Sequence, residues 1–171
     1  MTETPVDAAA TLDEAMKKSS LVWIGLPPER PRPAWYVWLK GVAYVLTGGE
    51  GEQPLPGLPE ASSAEVTVRS KDKGGRLITW TADVAEVEPG SPEWEELMPH
   101  LFKARLNASP ERGPAYWARE SYLMRLTPDG THPELPGAYR DSPAVRTVET
   151  PATNRTARPF MVGGRGRPAD R

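Results

Sequence analysis

Hydrophobic and polar residues alternate along 64–70, where Val66 and Val68 oppose Glu65, Thr67 and Arg69. They alternate again along 76–87, with Ile78, Trp80, Ala82 and Val84 set against Leu77, Thr79, Thr81, Asp83 and Ala85. A period of two predicts two antiparallel strands, joined here by the turn Lys71-Asp72-Lys73-Gly74-Gly75. Residues 34–49 break this rule. They read Ala-Trp-Tyr-Val-Trp-Leu-Lys-Gly-Val-Ala-Tyr-Val-Leu-Thr-Gly-Gly, two β-rich runs of 34–39 and 42–47 about Lys40-Gly41 with large side chains on both faces. A strand that is apolar on both sides needs two covers, and the second must come from a barrel interior, a partner subunit or a flat ligand.

The flanking segments supply the remaining elements. Thr11 with Glu14 forms a capping-box pattern ahead of a short helix bearing Leu12, Ala15 and Met16, and the apolar run 21–26, closed by Pro27-Pro28, reads as a first strand. Residues 27–33 form a rigid loop, and 48–57 connect without helix or strand character. Ser91 with Pro92 starts a second helix whose Trp94, Leu97, Met98, Leu101 and Phe102 share a face, with Pro99 expected to kink or divide it. A helical turn at 116–119 and a strand at 121–126 complete the order helix, strand, hairpin, hairpin, helix, strand. Repeating strand–helix crossovers are missing, which argues against a doubly wound parallel sheet. Five or six antiparallel strands avoid exposed edges by curling up, so the fold expected is mostly β with a few helices, a six-stranded antiparallel barrel.

Composition narrows the chemistry more than the architecture. The 171 residues, 38% of them apolar, fit one domain with tails: a flexible leader at 1–10, a barrel domain at 11–126 and a Pro/Gly/Arg-rich extension at 127–171, packed at its start and mobile at its end. A formal charge of −2 gives no global attraction to nucleic acid, although the five arginines after Pro151 make the tail locally basic. The chain has no cysteine, which removes disulfides, thiolate nucleophiles and cysteine-ligated metals. His100 and His132, the two histidines, have no partner at ligand spacing, so no metal site is expected. With no secretory leader and no apolar window near the ~20 residues of a membrane helix, a cytoplasmic location away from the membrane is expected.

The element order, with 33–49, 65–87, the Ser91-Pro92-Glu93-Trp94 helix start and Lys103-Ala104-Arg105-Leu106-Asn107, resembles the flavin-binding split barrels related to pyridoxine phosphate oxidase. The likeness spans about two thirds of the chain. It implies a split barrel and a homodimer, with flavin mononucleotide (FMN) in clefts between subunits. Residues 35–38 (Trp35, Tyr36, Val37, Trp38) look like the strand beside the isoalloxazine ring, and Leu46-Thr47 is similar to the neighbouring strand that meets the ring edge and phosphate. In one respect the chain departs from the family. The usual Ser-Arg-Lys phosphate cluster is replaced at 48–57 by Glu50, Glu52 and Gln53, and carboxylates repel a phosphate.

The segment Arg69-Ser70-Lys71-Asp72-Lys73-Gly74-Gly75-Arg76 offers the alternative, four cations with a hydroxyl and two glycines at one hairpin end. Lys103 and Arg105, by contrast, suit a helix C-terminus without further role. The candidate cofactor contacts are therefore Trp35, Tyr36, Val37, Trp38, Leu46, Thr47, Gln53, Arg69, Ser70, Lys71, Lys73, Arg76 and Trp80. No nucleophile, base and orienting acid form a recognisable set, so no catalytic residue is assigned. The reading is an FMN-binding homodimer, an oxidoreductase acting on a small molecule through its cofactor. Its alternatives are a deazaflavin-dependent reductase in the same cleft and a non-catalytic barrel that has lost its flavin.

Overall fold

The computed structural model describes residues 7–70, 75–105, 111, 113–131 and 133–135, all within the first of two units, residues 1–140. The second unit, 141–171, lies outside the described residues, as do Lys71, Lys73 and His132. In chain order the elements are α1 (Ala8–Lys18), β1 (Leu21–Gly25), β2 (Arg32–Trp35), β3 (Val37–Leu39), β4 (Val42–Gly48), β5 (Ser63–Arg69), β6 (Arg76–Glu86), α2 (Pro92–Ala104), α3 (Pro114–Glu120) and β7 (Ser121–Pro128). The strands form one antiparallel sheet in the order β2-β1-β5-β6-β7-β4-β3.

The run 34–39 is not one strand but two. Tyr36 divides it: β2 pairs with β1 at one end of the sheet, while β3 pairs with β4 at the other. Consecutive segments of chain thus occupy both edges, which rolls the sheet into a nearly closed barrel and raises the strand count among the described residues from six to seven. At the seam a side chain substitutes for a ladder. Gln53 Oε1 accepts from the Trp35 amide at 2.8 Å, and its Nε2 donates to the carbonyls of Trp35 and Leu46, both at 3.0 Å. Backbone groups that closure would leave unpaired are thereby satisfied. The β3–β4 turn is the two-residue Lys40-Gly41, both with positive φ, as right-handed strand twist requires.

One core fills the barrel. Val22, Ile24, Val45, Val66, Val68, Ile78, Ala82, Met124 and Leu126 point inward, joined by Tyr36 and Trp80 and by the half-buried Trp38. Helix α1 stops one end with Leu12, Ala15 and Met16. It starts a turn earlier than the Thr11 cap implies, because the Asp7 carboxylate accepts from the amides of Ala9 (3.0 Å) and Ala10 (3.3 Å). The Tyr36 hydroxyl donates to the Met16 carbonyl at 2.6 Å and Trp38 Nε1 to Asp13 at 2.8 Å, locking helix to barrel.

A second core lies outside the barrel wall, where Tyr44, Leu46 and Leu123 are covered by Trp94, Leu97, Met98 and Leu101 of α2 and Trp117 of α3. Half-buried Trp35, Val37 and Leu39 border it. The two-sided apolar character of 34–49 thus finds its second cover in helices of the same chain. Ser91 caps α2 through the Trp94 amide at 3.2 Å, and the helix passes through Pro99 without dividing.

Candidate functional site

The sequence candidates fall into three environments. Tyr36, Trp38 and Trp80 belong to the barrel interior, where Trp38 and Trp80 meet edge to face with centroids 6.2 Å apart. Burial raises the Tyr36 hydroxyl to about pH 12. Leu46 and Val37 serve the helix-covered core, Thr47 donates to the Gln53 carbonyl at 3.0 Å and accepts from the Leu55 amide at 3.1 Å, and Gln53 is committed to the seam.

The third environment is an outer face. On β1 the inward residues are Val22 and Ile24, so Leu21 and Trp23 project outward, and register sets Leu21 beside Trp35 and Trp23 beside Thr67. Leu21 is 51% exposed and Leu77 of β6 is 37% exposed, while the Arg69 guanidinium lies over the Trp23 ring at 4.6 Å. Thr67 and Thr79 continue the row, their hydroxyls 2.9 Å apart. The hairpin end closes with the Ser70 amide donating to the Gly75 carbonyl at 2.9 Å, and Arg76 meets Glu134 at 3.8 Å. This face joins apolar ring surface to cations, and no helix among the described residues covers it. Trp23 and Leu21 escaped the sequence candidates because the short β1 run is apolar throughout and shows no outward face.

The loop expected to repel a phosphate is organised by its carboxylate. The Glu52 side chain, fully buried, pairs with Arg105 and accepts from Trp117 Nε1 at 3.0 Å, while Arg105 Nη2 donates to the Gly51 carbonyl at 2.8 Å. The same guanidinium lies 5.6 Å from the Trp35 ring. Arg105 therefore does more than suit a helix end: it neutralises Glu52 and ties the loop to α2. Tyr116 adds a clamp, accepting from the Glu50 amide at 2.8 Å. Gly49 sits in this turn at φ +63°, where a Cβ would fall 2.5 Å from Ser121 Oγ, so a side chain is excluded twice over.

Beside the second core, Tyr44 donates to Glu93 at 3.0 Å and Arg125 reaches the same carboxylate at 3.1 Å. Burial, then the Glu93 contact, lifts the Tyr44 hydroxyl to about pH 12. Among the described residues no three His, Cys, Asp or Glu side chains come together as metal ligands. His100 is exposed on α2.

No protein-family model and no curated protein matches the sequence. Solved structures do match the fold. The heme storage protein HutZ of Vibrio cholerae is 12% identical, with 75% of this chain and 94% of that chain covered at a TM-score of 0.50. A candidate pyridoxamine 5′-phosphate oxidase from Listeria innocua is 12% identical, with 75% and 97% covered at a TM-score of 0.51. The fold is accordingly the split barrel of the pyridoxamine phosphate oxidase type. Among the described residues no helix is long and apolar enough to cross a membrane.

Proposed function

We propose that this chain is a flavin-binding split-barrel protein that holds FMN against the outer face of β2, β1 and β5, beneath a second copy of the chain. The observation that carries the reading is the strip Leu21, Trp23 and Arg69, an apolar bed with a stacked cation on a wall that no helix among the described residues covers, with Trp35 at its border with the second core. A planar ring system with an anionic tail needs these two surfaces. Trp23 and Leu21 supply the bed, Arg69 and Arg76 face the phosphate, and Ser70 offers a hydroxyl at the hairpin end. The matching folds lend support, since their names describe proteins that handle flat aromatic molecules, heme in one case and a pyridoxamine phosphate in the other. Bound flavin would supply two-electron chemistry, making the protein an oxidoreductase of a small molecule. The chain's own residues position the ring, exclude water from it through the partner copy, and neutralise the phosphate.

A second reading is favoured by one observation. The loop that the resemblance assigns to the phosphate is closed by Glu52, Arg105 and Trp117, which suits a barrel that has given up flavin for another ligand. Titration of the purified protein with FMN, followed by flavin fluorescence, separates the two. The flavin reading predicts saturable quenching at one FMN per chain, weakened about tenfold by Arg69→Gln through loss of a charged contact. Linear, unsaturable quenching would refute it, as would an Arg69→Gln protein of unchanged affinity. Competition with a deazaflavin identifies which of the two ring systems is preferred.

A further inference from the structure

The end of the barrel away from α1 carries a pocket of about 430 Å³ that the flavin face does not use. Its floor is apolar, built from Ile24, Leu26 and Leu55, two of them core residues. Its rim carries Arg30, Arg32 and Glu29. The placement of Arg32 is unusual for its type. It is the cross-strand partner of Ile24, and such partners project to the same side of a sheet. Ile24 is 3% exposed and belongs to the barrel core, so Arg32 stands on the inward face of β2 at the position where that face meets solvent. An aliphatic residue would seal a barrel mouth there more cheaply. Neither the Arg30 nor the Arg32 guanidinium has a hydrogen-bond or ion-pair partner among the described residues. Glu65, the nearest acidic residue in the adjoining strands' register, pairs with Gly25 on the outer face and so points away.

We infer that this pocket binds a small amphiphilic carboxylate, its apolar body on Ile24, Leu26 and Leu55 and its head between the two guanidinium groups. The size falls within the ~300–1,000 Å³ range of small-molecule sites. Two arginine forks match the planar geometry of a carboxylate, and the Glu29 charge on the same rim leaves one excess positive charge, which a monoanion neutralises. The loop that bears Arg30 is stiffened by Pro27, Pro28 and Pro31 and closed by a 2.8 Å bond from the Glu29 amide to the Leu26 carbonyl, so the backbone of the pocket rim is fixed before any ligand arrives.

Isothermal titration of the flavin-free full-length protein with octanoate and octanamide tests the assignment. Octanoate is expected to bind saturably at one per chain, with octanamide at least ~10-fold weaker for lack of charge. The double variant Arg30→Gln/Arg32→Gln, altered at two exposed positions and so expected to fold, should lose octanoate binding by a similar factor. Absent saturation with octanoate, equal affinity for octanamide, or octanoate affinity unchanged in the folded double variant would each overturn the proposal. The same double variant is expected to bind FMN like the wild type, so the fate of this pocket and that of the flavin reading are measured separately.

Discussion

Removing the Glu52 carboxylate should be among the most damaging single changes in this chain. The side chain is fully buried, and Arg105, only 15% exposed, depends on it for charge compensation. Glu52→Leu would leave that guanidinium uncompensated and strip Trp117 Nε1 of its acceptor. Breaking one partner of a buried pair costs about 3–5 kcal/mol, because the surviving charge keeps its desolvation penalty without its partner. For a chain of this length each kcal/mol moves Tm by about 2–4 °C, so a fall of roughly 6–20 °C is expected. Arg105→Met should cost a similar amount by stranding the carboxylate. The double variant Glu52→Leu/Arg105→Met removes both charges and should return to within about 1–2 kcal/mol of wild type, since an apolar pair of similar volume replaces a buried ion pair at little net cost. Equilibrium urea unfolding of the four proteins gives the coupling energy directly. Single variants within about 0.5 kcal/mol of wild type, or a double variant equal to the sum of its parts, would refute the placement of this pair at the heart of the loop.

Other expectations follow from the same geometry. Gln53→Leu should destabilise by about 2–4 kcal/mol, because three seam hydrogen bonds to backbone groups are lost together, and hydrogen exchange should rise at Trp35. Gly49→Ala forces a Cβ against Ser121 Oγ at a left-handed φ and should lower Tm; an unchanged Tm would show the turn to be loose. Tyr36 and Tyr44, both raised by burial to about 12 in the folded state from the ordinary tyrosine value of 10, bind protons that the unfolded chain releases. Stability from them is complete below pH 10 and declines between pH 10 and 12, since the folded state there holds more protons than the unfolded one. Alkaline titration at 295 nm should show two late-ionising tyrosines, and Tyr36→Phe should remove one. Ionisation of every tyrosine near pH 10 with the fold intact would contradict their burial.

Much of the architecture is legible in the residues. The alternation in 64–70 and 76–87 yields β5 and β6 with their facing, and Ser91-Pro92 marks the start of α2, because local physics decides these elements. The break at Tyr36 is not legible. Nothing in Ala-Trp-Tyr-Val-Trp-Leu announces that its first half pairs with β1 and its second with β4, since that choice depends on partners distant in sequence and on a Gln53 side chain bridging the seam. The same holds for the aromatic residues. Large side chains on both faces correctly signal two covers, but whether a helix, a subunit or a ligand supplies the second is decided by α2 and α3, whose own apolar faces do not name their target. At the site, Arg69 and Trp35 stand out by residue type, whereas Trp23 and Leu21 become candidates only through the register that aligns them. Arg105 is hidden by a sufficient local explanation, its helix end, and its partner Glu52 lies 53 residues away in the chain.

The claim on which the functional account stands is that the outer face of β2, β1 and β5 is a flavin seat shared with a second copy of the chain. Hydrogen–deuterium exchange of the protein with and without saturating FMN, read by peptide, tests it most directly. The account predicts protection concentrated in peptides spanning 21–25 and 66–70, accompanied by a dimer in sedimentation velocity. Protection confined to α2 and α3, or none at β1 and β5 while FMN binds a monomer, would contradict it.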